Sequence, residues 1–241
     1  MHPLPFPRDP KPLEADGVLI PDDPAVITPA IARAIREGRF EAEESSQIAA
    51  IVRPGDRVLE IGAGIGFIST LLARQRRVAA VIAVEANPGL MDYMARLHAI
   101  NGVRKVRRLN AVLTNGPEQR ATFYLRPDFW MGSLAPGPNP WVGTVQVPTM
   151  RLDALLREEA IDLVVCDVEG AEATLFEGAD LSGVDRLWVE IHDHVTGLSG
   201  VRRLFATMAA QGFVYDPRHS IGPVVLFRRL GEADIVRPYA G

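Results

Sequence analysis

Apolar residues recur along this chain in two alternating rhythms. Behind the turn Pro54-Gly55-Asp56, the run Arg57-Val58-Leu59-Glu60-Ile61 predicts a strand. Val78–Val84, VAAVIAV, is apolar throughout, as expected of a parallel strand covered on both faces. Val106–Val112, Leu163–Asp167 and Arg186–Ile191 predict three more strands. Between them, helical patterns fall at Ile65–Arg74, at Pro88–Ile100 with proline in the first turn, at Leu152–Glu159, at Ala171–Phe176 and at Val201–Gln211. Phe213–Asp216 and Val224–Arg228 predict a closing antiparallel pair. Ala121–Leu125 and Gly143–Val147 predict strands flanking a Pro/Gly-rich loop over 126–142. Upstream, Pro29–Val52 predicts two helical pieces, and prolines at 3, 5, 7, 10, 12, 21 and 24 predict an extended arm.

The alternation predicts an α/β fold with a doubly wound, mostly parallel seven-stranded sheet, helices on both faces and an antiparallel final strand. The chain divides into a proline-rich arm and helix over 1–44, a main domain over 45–230 and a tail over 231–241. Its 241 residues, 47% of them hydrophobic, suffice for one domain with a substantial core. A net charge of −4 argues against a phosphate-backbone binder, which commonly carries a basic face. The basic runs 74–77 and 104–108 read as solvated helix ends or loops. The one cysteine, Cys166, sits in an apolar run and reads as core; no disulfide or zinc pattern is present. The first residues do not form a secretory signal and no run is long enough to span a membrane, so the expected location is the cytoplasm.

Ligands of such sheets bind beyond the carboxyl ends of the strands, so the residues there carry the chemistry. After the first main strand comes Glu60-Ile61-Gly62-Ala63-Gly64-Ile65-Gly66. Glycine permits a tight turn and close backbone approach, and the following helix offers free N–H groups. A dinucleotide turn, G-x-G-x-x-G, needs a third glycine at position 67, which is Phe67. After the second strand comes Glu85, where an acid can accept hydrogen bonds from ribose hydroxyls. Asn87 reads as the cap of the next helix. Asn110 and Ala111 follow the third strand, where an adenine edge falls. Asp167-Val168-Glu169-Gly170-Ala171-Glu172 follows the fourth, and acids so close together repel unless they meet cations or donors. His192 and His194 follow the fifth, beside Glu190.

The glycine motif with Glu60 and Glu85 resembles the S-adenosylmethionine site of class I methyltransferases. The DVEGAE segment, preceded by Thr149-x-Arg151-Leu152-Asp153-Ala154-Leu155 and followed by Glu177-Gly178-Ala179, resembles the FkbM family of O-methyltransferases, as does Ala86-Asn87-Pro88 after Glu85. The resemblance covers roughly residues 43–229. It implies methyl transfer from S-adenosylmethionine, with S-adenosylhomocysteine as product, to a hydroxyl of a sugar, natural product or other small molecule. By position, Glu60, Gly62, Ala63, Gly64 and Gly66 meet the methionyl end, Glu85 and Ala86 the ribose, and Asn110 and Ala111 the adenine. Asp167, Glu169 and His192 line the reaction centre, with His192 or Asp167 as base and Glu169 orienting the acceptor. A variant has Asp167, Glu169, Glu190 and His192 hold a divalent cation; no dedicated metal motif stands in the sequence. Trp130 and Trp141 either stack on the acceptor or plug the core edge or a subunit contact, and a homodimer is allowed. Nucleic acid and membrane are not expected partners. The rival readings are a nucleic-acid or protein methyltransferase and a nicotinamide oxidoreductase of similar topology.

Overall fold

The computed structural model describes residues 11–117 and 119–231. The main sheet grows from strands whose apolar residues alternate between two helical layers. Its members are β3 (Arg57–Ile61), β4 (Ala80–Glu85), β5 (Val106–Asn110), β9 (Leu163–Cys166), β10 (Arg186–Glu190), β11 (Phe213–Tyr215) and β12 (Val224–Arg229), with the smaller strands described below. Their spatial order is β11-β12-β10-β9-β3-β4-β5. Neighbours from β10 to β5 pair in parallel, and β12 runs antiparallel to both β10 and β11. The expected seven-stranded sheet with an antiparallel final strand is the observed one.

In β3, Val58 faces a core shared with α1 (Pro29–Arg36), α2 (Ala42–Ile51), α3 (Phe67–Arg74) and α4 (Met91–Ile100). Leu59 and Ile61 face the opposite core, under α5 (Leu152–Glu158), α6 (Glu172–Leu175) and α7 (Asp193–Ala210). Chain order reverses between β3 and β9, the switch point at which ligand crevices open in such sheets. Arg186 on β10 reaches back under α2, where its Nη2 stands 2.6 Å from Asp56 Oδ1 with both side chains buried.

Several expectations change in detail. The prolines at 3, 5, 7 and 10 and the residues from 232 onward lie outside the described residues. The rest of the expected arm is not merely extended. β1 (Leu13–Ala15) and β2 (Val18–Ile20) form an antiparallel hairpin, and Val18 and Ile20 are wholly buried on the first core. The expected strand 106–112 is cut at Asn110. That residue's amide donates to Glu85 O at 2.9 Å and Ala86 O at 3.0 Å. The chain then leaves the edge of the main sheet. β6 (Val112–Thr114) pairs with β8 (Gly143–Arg151), which also pairs with β7 (Arg120–Leu125), in a separate three-stranded sheet. The helix through Pro88 begins as a 3₁₀ turn, Pro88–Leu90, capped by Asn87. The last helix starts at Asp193 rather than Val201, with a break at Gly197.

Candidate active site

The turn after β3 is shaped by how closely two strand ends approach. Gly62 has φ +86°, and a Cβ there would stand 1.7 Å from Asp167 O. Only glycine lets the end of β3 lie this near the end of β9. The turn is held from the second strand as well: Gly62 N and Ala63 N both donate to Val84 O, at 2.9 Å and 3.0 Å.

A pocket opens over this turn, with Ala111, Val112, Phe123, Trp188 and Val224 among its lining residues. Glu60, Gly62, Ala63, Gly64, Glu85, Ala86, Ala111, Asp167 and Glu169 line it, as their place after the strands led us to expect. Two expected cofactor residues lie outside the wall. Asn110 spends its amide on the 85–86 backbone. Gly66 begins α3 and packs against Met94 and His98.

Glu85 accepts from Gly64 N at 2.8 Å with one oxygen and from Asn87 N at 2.6 Å with the other. Burial nonetheless pushes its carboxyl up to about 7. Glu60 shares the face of Val58 and is 3% exposed. Burial drives it up to about 8, against the Ser69 hydroxyl and N–H that favour the charged form. Its Oε2 is buried with no hydrogen-bond partner. Such an atom is costly unless something else satisfies it.

Beside the pocket lies a wider mouth that shares Phe40, Glu41, Glu44, Trp130, Asp167, Glu169 and Glu190 with it and adds His192. Here the expected reaction-centre residues meet. His192 is 4% exposed. Its Nε2 stands 3.3 Å from Asp167 Oδ1 and 4.0 Å from both Glu169 Oε1 and Glu190 Oε1. Its Nδ1 is 3.4 Å from Glu172 Oε1. Glu172, 1% exposed, also accepts from Gly170 N at 2.8 Å and His192 N at 2.9 Å. Burial opposes the charged imidazole, but Asp167 and Glu172 prevail and raise it to about 11. Burial raises Glu169, and burial with the Asp167 charge raises Glu190 to about 8. His194 is exposed, with Nε2 4.0 Å from Glu169 Oε2.

The 126–142 loop is tied down by Arg126, whose buried guanidinium donates to Ser133 Oγ at 2.9 Å and to Ala135 O at 3.1 Å. Trp130 tilts over Phe40, with ring centres 6.1 Å apart, and both rings line the pocket and the mouth. Trp141, 49% exposed, packs edge-on against Tyr124. The contributions of Phe40, Glu41 and Glu44 escape sequence reasoning. Phe40 and Glu41 come from the link between α1 and α2 and Glu44 from the first turn of α2, and nothing local marks them as facing the sheet ends.

A model of the methyltransferase FkbM domain matches residues 60–215, well over half of the chain. The chain belongs to the FkbM methyltransferase family. It is therefore a methyltransferase dependent on S-adenosylmethionine, and the sheet above is the Rossmann-like sheet of that class. No curated protein matches this FkbM methyltransferase in sequence. Among solved structures it is similar to Trm5b from Pyrococcus abyssi, with 13% identity and a TM-score of 0.50 over 89% of this chain and 54% of that one. The chain thus spans about half the length of Trm5b. It is also similar to TYW2 of M. jannaschii in complex with AdoMet, with 17% identity and a TM-score of 0.48 over 90% and 85% of the two chains. Against TrmK of M. capricolum, solved with S-adenosyl-homocysteine, the figures are 9% identity and 0.46 over 80% and 71%. At 13% identity the likeness to Trm5b is one of fold. No described helix of this FkbM methyltransferase is long and apolar enough to cross a membrane.

Proposed function

We propose that this methyltransferase acts on a hydroxyl of a small molecule, a sugar or natural product, with Asp167, Glu169 and His192 at the reaction centre. The carrying observation is the carboxylate-lined mouth that meets the glycine-turn pocket at Asp167 and Glu169. When bound, S-adenosylmethionine supplies a methyl group on a sulfonium. The residues present fit it. The orphaned Glu60 oxygen suits the methionyl ammonium, Gly62 and Gly64 line the pocket without side chains, and Glu85 suits the ribose. Ala111, on the same pocket wall, suits the adenine.

A hydroxyl is a poor nucleophile while it keeps its proton, and a base within reach removes it as the new bond forms. Asp167 or Glu169 serves as that base, since both face the pocket and the mouth. His192, wedged between Asp167 and Glu172, fixes the orientation of Asp167. A polyphosphate acceptor fits poorly, because Glu41, Glu43, Glu44, Asp167, Glu169 and Glu190 line the mouth against Arg39 and His192.

The test is transfer of a labelled methyl group from the donor to a panel of hydroxylated sugars and aromatic alcohols, with tRNA and protein in parallel. Transfer to a hydroxyl of a small molecule is expected; transfer confined to tRNA or protein overturns the reading. The donor site has its own check. Glu85→Ala is expected to weaken S-adenosylhomocysteine binding about 10- to 100-fold by calorimetry, the scale of one or two hydrogen bonds to a charged group. An unchanged affinity removes Glu85 from the site.

A further inference from the structure

We propose that Asp167, Glu190 and His192 hold a divalent cation of the Mn²⁺ or Mg²⁺ type that receives the acceptor's hydroxyl oxygen. The proposal rests on the methyl-transfer reading above and deepens it. The three side chains come from separate places in the fold, the end of β9, the end of β10 and the residue before α7. They nevertheless offer one ligand atom each, all within 4.8 Å of one another. A single ion with ligands about 2.1 Å away spans separations up to about twice that, so small rotations of the carboxylates close the shell.

An acidic rim alone would carry nothing. What singles out this group is the imidazole. His192 is almost wholly buried, and Nε2 points at the carboxylates of Asp167, Glu169 and Glu190. Its other nitrogen, Nδ1, is buried without an aligned hydrogen bond and has Glu172 Oε1 behind it at 3.4 Å. A metal-bound histidine is typically oriented in this way, by a carboxylate at the nitrogen that does not bind the metal. Glu172 is itself locked by the N–H groups of Gly170 and His192. It therefore serves the ring rather than the cavity.

Charge points the same way. Glu41, Glu43, Glu44 and Glu169 face the same mouth, and only Arg39 and His192 among its lining residues oppose them and the two carboxylate ligands. A dication would relieve that repulsion. Two carboxylates and one imidazole suit Mn²⁺ or Mg²⁺, harder ions than those that thiolates select. The acceptor oxygen takes an open position on the ion, which favours loss of its proton to Glu169. The oxygen lone pair forms the new O–CH₃ bond while the C–S bond breaks and its electrons stay on sulfur, leaving S-adenosylhomocysteine. Glu169 then returns its proton to water.

The test titrates the chelator-stripped full chain with Mn²⁺ and follows the electron paramagnetic resonance of the free ion. Binding of a single ion per chain is expected with a dissociation constant below about 100 μM. Spin-echo modulation from an imidazole nitrogen is expected on the bound ion. Glu190→Gln and His192→Gln should each weaken binding at least about tenfold, the equivalent of about 1.4 kcal/mol. Glu158→Gln, exposed at the end of α5 and lining neither the pocket nor the mouth, should leave it unchanged. S-adenosylhomocysteine binding by the same samples reports folding and tests the donor site separately. If S-adenosylhomocysteine binds but Mn²⁺ does not, the cation site is wrong and the methyl-donor reading stands. Mn²⁺ bound without nitrogen coupling also overturns the proposal, and that readout needs only the unaltered chain.

Discussion

Gly62→Ala is expected to lower the thermal midpoint by about 5–20 °C and to abolish S-adenosylhomocysteine binding. Two costs add. The backbone at 62 has φ +86°, where an L side chain costs about 1–2 kcal/mol. The added Cβ would also lie 1.7 Å from Asp167 O and 2.8 Å from Asp167 C. Those atoms are backbone, so no side-chain rotation relieves the overlap. The ends of β3 and β9 must part, and Asp167 N, which donates to Ile61 O at 3.0 Å, is pulled with them. Overpacking of this kind costs about 1–3 kcal/mol, which brings the total to about 2–5 kcal/mol. Gly178→Ala isolates the first cost. Its φ is +70°, and a Cβ there meets nothing within 4 Å. That variant should lose only about 2–8 °C and keep its ligand affinity. Differential scanning calorimetry and ligand titration compare the two, and equal behaviour would show that the close approach at Gly62 is not what shapes the site.

The same contact explains what the sequence could and could not disclose. Gly62 and Asp167 are legible as residues after strands, because the apolar runs 57–61 and 163–166 mark those strands and the fold rule places ligands at their ends. Glu85 is legible for the same reason. Asn110 shows where that reasoning stops. It follows a strand, as a ligand contact should, but its amide finds two backbone carbonyls first. Position after a strand says a side chain is near the crevice, not that it is free to serve it. The hairpin at 13–20 hid between Pro12 and Pro21, in a stretch whose proline density predicted only an extended arm, whereas Val18 and Ile20 are buried in the first core. Phe40, Glu41 and Glu44 reach the mouth through the tertiary packing of α2 and the link before it. Glu172 was visible within the acidic run, but its task of backing the His192 ring depends on a partner twenty residues away, and no spacing rule encodes it.

Glu60→Gln is expected to move stability and ligand affinity in opposite directions. The Glu60 carboxyl rises from an ordinary 4.5 to about 8 in the folded chain, chiefly through burial. Between those two values the folded state holds a proton that the unfolded state releases. Stability therefore falls as pH rises from about 4.5 to about 8, and the full penalty persists above that. At about 1.4 kcal/mol per pKa unit, the penalty is on the order of several kcal/mol. Glutamine carries no charge at any of these pH values, so the variant loses this slope. Raising pH from 6 to 9 should lower the midpoint of the unaltered chain more than that of the variant, with a gap of roughly 5–10 °C at pH 9. Glu85, raised to about 7, titrates in both proteins, so the difference between them isolates Glu60. Affinity should go the other way. The variant should bind S-adenosylhomocysteine at least about tenfold more weakly, since a charge-assisted contact to the ammonium is lost. It should bind 5′-methylthioadenosine, which lacks the amino-acid end, as the unaltered chain does. Parallel pH curves for the two proteins would mean that Glu60 carries no buried charge awaiting a partner. An equal loss for both ligands would place its effect on the turn rather than on the ammonium. The expected split says instead that the chain tolerates a buried carboxylate whose Oε2 has no partner within the fold because the ligand completes it, and that part of the binding energy is stored as instability of the free fold.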